Sequence, residues 1–197
     1  MKHLQRFNEE LKIPVSGIKG EVSKSKISKK IYLAGPDVFR KNAISRLNSL
    51  KRFATKYGHE GLAPLDNIIP IEDELKNTQA HSKLIFEANV QLIKDCDIII
   101  ANLEPFRGPS IDDGTAWEIG YGFALNKTIY GYSEFSDMSL KDITDMMFDL
   151  SKQKKYPEYE IMGNPVNLMI ADSIKGSGGK IFKTFEMCLM DLNKSLG

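Results

Sequence analysis

The chain has 197 residues, 42% of them hydrophobic and 27% charged, with a formal net charge of +1. That is one ordinary globular domain with a proper core, and the near-neutral charge gives no electrostatic footprint for nucleic acid or an anionic membrane. The two cysteines, Cys96 and Cys188, sit in apolar runs without a C-x-x-C partner or a nearby His cluster, which argues against a disulfide framework or a zinc site. The first residues lack an apolar signal core and no apolar run approaches a membrane span, so the expected location is the cytoplasm.

Residues 1–29 are polar and Lys-rich, broken by Pro14, Gly17 and Gly20. One short helix fits over 4–11, and the rest is expected to be a flexible N-terminal extension ahead of a single domain, 30–197. Residues 30–35 (Lys-Ile-Tyr-Leu-Ala-Gly) form a short apolar run closed by Gly35-Pro36, the first predicted strand. Ile44, Leu47, Leu50, Ala54 and Tyr57 then recur at helical spacing, with Gly58 as the stop. A second strand is predicted over 61–65, closed by Pro64-Leu65-Asp66-Asn67, and a loop over 68–78.

From about Ser82, the positions Ile85, Ala88, Asn89, Leu92 and Ile93 give another helical face, with Asn89 as its polar member. Residues 97–103 are almost wholly apolar, the signature of a parallel strand covered on both sides. A helix over 115–126, a strand over 127–132 and a helix over 140–150 follow. Residues 153–160 are a charged loop, and 164–169 (Asn-Pro-Val-Asn-Leu-Met) lead into an apolar segment. A Gly-rich turn, 176–179, precedes a final helix over 182–196. Alternating strands and helices specify an α/β doubly wound sheet with right-handed crossovers. Such sheets bind ligands outside the carboxyl ends of their strands. Three loops leave strands there: 35–39, 66–67 and 104–114.

The stretch 94–132 carries the densest chemistry. Glu118 lies in a helix pattern, with Gly114 and Gly122 four residues to either side on the same face. Helix amides and dipole near its start favour an ionised carboxylate. Two interior glycines, Gly120 and Gly122, cost roughly 1 kcal/mol each against Ala, which close packing or room for a ligand must offset. Glu118 is therefore either a solvated first-turn Glu or a reactive one. Asp112-Asp113-Gly114 supplies an N-cap and a turn. One aspartate takes the cap, leaving the other beside Glu118, and a carboxyl pair about 5 Å apart is what retaining glycosyl transfer requires. Tyr32 either belongs to the core or orients Glu118. Phe39 and Phe106 are core residues or stack on a base. Arg107 is a surface residue or holds a hydroxyl, base or phosphate. The common Gly-rich phosphate loops are absent, and His3, His59 and His81 are scattered, so neither a His triad nor a metal site is expected.

Taken together, Tyr-Leu-Ala-Gly-Pro (32–36), Pro-Leu-Asp-Asn (64–67), Asp-Asp-Gly-Thr-Ala-Trp-Glu-Ile-Gly-Tyr (112–121) and Pro-Val-Asn-Leu-Met (165–169) resemble the nucleoside 2-deoxyribosyltransferases, over residues 30 to about 192. The resemblance implies a flavodoxin-like fold with a five-stranded parallel sheet. It implies exchange of the base on a 2′-deoxyribonucleoside without metal or organic cofactor. Glu118 matches the nucleophile that attacks C1′, Asp112 the aspartate that handles the sugar and helps proton transfer, and Tyr32 the tyrosine that hydrogen-bonds the nucleophile. Asp113, Gly114, Thr115, Asn89, Phe39 and Arg107 are expected around the substrate. Asn167 and Met169 match residues lent by a neighbouring subunit near the 5′-hydroxyl, which implies a homo-oligomer, a dimer at least and up to a hexamer. Asn89 stands where many members carry an aspartate that protonates the base. An amide delivers no proton at neutral pH, so that task passes to Asp112, Asp113 or water.

Overall fold

The computed structural model describes residues 27–66, 76–147, 149, 158 and 160–197. The expected N-terminal extension thus lies almost wholly outside the described residues, as do Asn67, most of the loop over 68–78 and most of that over 153–160.

Five strands form one parallel sheet: β1 Lys30–Ala34, β2 Glu60–Leu62, β3 Ile98–Asn102, β4 Thr128–Tyr132 and β5 Ile181–Phe182. Their order is β2-β1-β3-β4-β5. The described helices are α1 Ala43–Lys56, α2 Gln79–Asp95, α3 Asp113–Ala124, α4 Leu140–Met147, α5 Leu168–Gly176 and α6 Phe185–Ser195. This is the flavodoxin-like arrangement. The period-two alternation of strand side chains splits the core into two layers. Ile31, Leu33, Ile98 and Ile100 pack against Leu47, Leu50 and Ala54 of α1 and Phe185, Cys188 and Leu189 of α6. Tyr32, Ala34, Ile99 and Ala101 face Ile93 of α2, Ile119 of α3, and Ala171 and Ile174 of α5. Both faces of β3 are buried, which is why its sequence reads as an apolar run up to its last residue, Asn102.

The chain runs from β1 outward to β2 and then back across β1 to β3. The loops after β1 and β3 therefore diverge and leave a crevice at the carboxyl edge. Tyr32 pairs in register with Ile99, so it lies beside that crevice and faces the layer that holds α3. Gly122 lets α3 approach β3, since a Cβ there would lie 2.2 Å from Ile99 Cδ1.

Three elements differ from the sequence expectation. The second strand covers only Glu60–Leu62, and Pro64–Asp66 is a 3-10 turn. The Asp66 carboxylate draws the chain round by accepting from Ala63 N at 2.8 Å. The apolar segment after Asn167 is a helix, α5, capped by the Asn167 side chain accepting from Met169 N. Phe182, expected to open the last helix, belongs with Ile181 to a strand. They pair with Gly131 and Tyr132, and the helix starts only at Phe185 behind a Thr184 cap. Two residues of strand carry no periodicity of their own; the pairing partner selects them. Among the described residues no helix is long and apolar enough to cross a membrane.

Candidate active site at the β1/β3 crevice

Asp112 is the N-cap of α3. Its Oδ2 accepts from the Thr115 backbone N at 3.0 Å and from Thr115 Oγ1 at 3.1 Å. The cap turns the chain from the β3 loop into the helix, and it buries Thr115 completely. Glu118 is then the sixth helical residue, a turn beyond the cap. It is partly exposed, and its Oε1 accepts from the Tyr32 hydroxyl at 2.5 Å. Tyr32 is fully buried on β1, so the bond joins two elements that the sequence places 86 residues apart.

The electrostatics of Glu118 depart from the expected dipole-favoured anion. Burial pushes its pKa up to about 7, the Tyr32 hydrogen bond opposes that rise, and the nearby Asp112 charge adds to it. Desolvation wins because Glu118 lies past the first turn, where the free amides and the dipole no longer reach. The Tyr32 hydroxyl is held well above the ordinary tyrosine range, chiefly by burial and then by the Glu118 charge, so it stays a donor. The result is a carboxylate near half ionisation at neutral pH with one oxygen fixed and the other free of protein hydrogen bonds among the described residues.

Asp113 and Gly114 are exposed on the first turn of α3. Of the two aspartates, the cap Asp112 is the one coupled to Glu118. Its Oδ1 takes no hydrogen bond among the described residues. Asn89 lies on α2, one turn before the buried Ile93, and its Oδ1 is buried with no hydrogen-bond partner among the described residues. A buried amide oxygen without a partner costs free energy and so invites a donor.

Phe39 ends a 3-10 turn, Pro36–Phe39, directly after β1. Phe106 and Arg107 sit on the loop after β3. The two rings stack with centroids 5.3 Å apart. The Arg107 guanidinium lies over both, 4.6 Å from Phe106 and 5.5 Å from Phe39. Arg107 holds a left-handed φ of 55°, an uncommon state for a non-glycine residue. Phe39 remains 60% exposed and so offers an open ring face rather than core packing. Within this chain Asn167 caps α5 and donates from Nδ2 to Glu160 Oε1 at 2.5 Å, while Met169 is 69% exposed.

Sequence reasoning missed two clusters. Asp37, Asn102 and Glu104 form a polar group at the carboxyl ends of β1 and β3. The one signal was Asn102, a polar residue ending an apolar strand. On the outer side of α3, Trp117 stacks on Tyr121 (5.0 Å, 17°) and meets Phe86 of α2 edge-on at 5.4 Å. Among the described residues no group of three or more His, Cys, Asp or Glu could hold a metal ion.

Residues 31–169 match the family model for nucleoside 2-deoxyribosyltransferase. An uncharacterised protein of Schizosaccharomyces pombe is 38% identical over 104 residues, which are 52% of this chain and 49% of that protein. The matched chain thus spans about half the length of this curated relative. A 2-deoxyribosyltransferase from Leishmania mexicana superposes with a TM-score of 0.65 at 29% identity, covering 84% of this chain and 97% of its own. A 2-deoxyribosyltransferase from the psychrotolerant bacterium Bacillus psychrosaccharolyticus has a TM-score of 0.54 at 23% identity, over 85% and 95% of the two chains, and so shares the fold.

Proposed function

The chain belongs to the nucleoside 2-deoxyribosyltransferase family, and from that premise we propose that it moves a 2-deoxyribosyl group from one nucleobase to another through a covalent glycosyl-glutamate. The observation that carries this reading is the partly buried Glu118 held at 2.5 Å by the Tyr32 hydroxyl in the crevice. A pKa near 7 leaves enough of the anion at neutral pH while keeping the group basic enough to attack carbon.

In the first step a Glu118 oxygen forms a bond to C1′ as the C1′–N bond breaks, and the electron pair of that bond departs with the base. The base takes up one proton as it leaves. In the second step a nitrogen of the incoming base attacks C1′, loses its proton and releases the Glu118 carboxylate. Two inversions give overall retention, and the oxocarbenium-like transition state is stabilised by the adjacent carboxylate charge. Asp112 is our choice for the group that binds the sugar and passes the proton, with its Oδ1 facing the substrate. Asn89 receives a donor from the base, and the open ring face of Phe39 stacks on it beside Arg107. Asp113 and Gly114 line the sugar side, while Thr115, expected there from the sequence, is fully buried and acts by holding the Asp112 carboxylate. A carboxylate nucleophile asks for no metal or organic cofactor. Asn167 and Met169 serve the site of a second copy, near the 5′-hydroxyl. The exposure of Met169, Trp117 and Phe86 on one side of the sheet supports such an assembly.

Incubation with deoxyinosine, with and without adenine, tests the reading. New deoxyadenosine is expected. Hypoxanthine released without an acceptor, and no deoxyadenosine with one, would make the chain an N-glycosidase. No change of substrate with measurable nucleoside binding would make it a binding module. Glu118→Ala should abolish exchange and keep the fold, and an undiminished rate in that variant would remove Glu118 from the reaction.

A further inference from the structure

The segments that carry the Phe39–Phe106–Arg107 stack also hold a charged cluster that the proposed reaction does not use. Asp37 is 2% exposed. Its Oδ1 lies 2.8 Å from Arg40 Nε and 3.2 Å from Arg46 Nε. Its Oδ2 accepts from Asn102 Nδ2 at 2.8 Å and lies 3.5 Å from the Tyr132 hydroxyl. Because the Asn102 amide spends its donor on Asp37, its oxygen faces the other way and accepts from Glu104 N at 3.0 Å. The Glu104 carboxylate then anchors to the end of β4, accepting from Ser133 Oγ at 3.2 Å and Glu134 N at 2.7 Å. Gly35 makes the approach possible, since a Cβ there would lie 2.6 Å from Asn102 Cβ.

We propose that Asp37 is a positioning residue that locks the Phe39 turn and the Phe106–Arg107 loop into one surface for stacking the base; this rests on the transferase reading above. Phe39 lies two residues beyond Asp37, and Phe106 two beyond Glu104. The relay Asp37–Asn102–Glu104 therefore ties together the roots of both aromatic residues. Burying a carboxylate is costly unless its oxygens are paired, and an apolar cluster of similar volume fills such a space at no greater cost. What the charged cluster adds is direction. Each hydrogen bond in the relay fixes one segment relative to the next, as a buried polar network does when it is fully satisfied. The sheet pairs the two strands only as far as Ala34 and Ala101, so beyond it the relay is the side-chain link that joins the roots of the two loop-borne rings.

Three variants separate this role from plain stability. Asp37→Asn sets an amide NH2 against the Asn102 NH2, so Asn102 must turn over and Glu104 N–H loses its acceptor. Asn102→Ala leaves the Asp37–arginine pairs and removes both bonds of the relay, the one to Asp37 Oδ2 and the one from Glu104 N. The exchange Asp37→Asn with Asn102→Asp in one chain remakes both bonds, the first with donor and acceptor exchanged: the amide at position 37 donates to the carboxylate at position 102, which still accepts from Glu104 N. KM and kcat for deoxyinosine with adenine as acceptor are measured against pH, and adenine binding is followed by calorimetry, independent of turnover. Both single variants are expected to raise KM and weaken adenine binding about tenfold, the loss of one hydrogen bond to a charged group. The kcat and the pH midpoint set by Glu118 should hold, and the double variant should recover the affinity. Unchanged KM and adenine affinity in Asn102→Ala overturn the proposal, as does a folded double variant that recovers nothing. If Asp37→Asn does not fold, Asn102→Ala decides alone. A wild-type chain that binds adenine without exchanging the sugar refutes the transferase reading and leaves this proposal to the binding comparison. A wild-type chain that binds no base overturns it.

Discussion

Removing one oxygen from Tyr32 gives the sharpest test of how Glu118 is tuned. In Tyr32→Phe the ring still fills its buried place on β1, but the 2.5 Å hydrogen bond to Glu118 is gone. That bond is the one contribution that holds the Glu118 pKa down against burial and the Asp112 charge. A hydrogen bond to a charged group is worth about 1.5–3 kcal/mol, and about 1.4 kcal/mol is one pKa unit. The midpoint of about 7 should therefore move up by about one to two units. At neutral pH the ionised fraction then falls from about a half to between about 10% and about 1%, so kcat/KM drops about 5- to 50-fold. Because the freed carboxylate is more basic, the rate should recover as pH rises through the new midpoint. The assay is the pH profile of deoxyribosyl exchange for wild type and variant. An unmoved midpoint with the same proportional loss at every pH would refute the reasoning, because Tyr32 would then act on substrate placement and not through Glu118.

Three other outcomes follow from the same geometry. Asp112→Asn keeps an N-cap acceptor for Thr115 but removes the charge that raises Glu118, so the midpoint of the pH profile should fall below about 7, while the plateau rate should drop if Asp112 binds the sugar as proposed. Gly122→Ala should cost about 1–3 kcal/mol in urea unfolding, because its Cβ meets Ile99 Cδ1. Gly120→Ala faces open space and should gain up to about 1 kcal/mol from helix propensity. Equal effects at the two glycines would refute the packing assignment. His59 is buried, with Nδ1 accepting from Lys29 N and Nε2–H donating to Asn193 Oδ1, and burial holds its pKa below the ordinary value. Between the folded and the unfolded pKa the native chain binds fewer protons, so this stability is complete above about pH 6.5 and lost as pH falls through the lower folded value. Urea melts of wild type and His59→Gln across that window should show a steeper acid loss in wild type, and parallel curves would exclude the effect.

Much of the architecture was legible because it rests on local periodicity. The apolar run of β3 and the 3.6-residue faces of α1 and α2 are burial patterns written into neighbouring residues. That one of Asp112 and Asp113 caps α3 was legible for the same reason, since acceptor and donor are three residues apart; that the cap, Asp112, is also the aspartate coupled to Glu118 was not. The short strand β5 was not, because its two residues are defined by hydrogen bonds to β4, about 50 positions earlier. The Asp37–Asn102 pair was also hidden. Neither residue is distinctive alone, and they meet only because β1 and β3 are neighbours in the sheet, 65 positions apart in the chain.

Glu118 shows where the division falls. The chain alone determined that a carboxylate would sit in a glycine-bearing helix just past the loop from β3, because caps, periods and turns are short-range. It also carried the motif order that marks the family. Only the tertiary structure decided the chemistry of that carboxylate. The helix dipole argued for an easily ionised group, whereas packing α3 on the sheet removed enough water to raise its pKa to about 7. The same packing delivered a single hydroxyl from β1 to hold it. Burial and long-range contact are properties of the assembled layers, and a desolvated charge responds to them more strongly than to its neighbours in sequence.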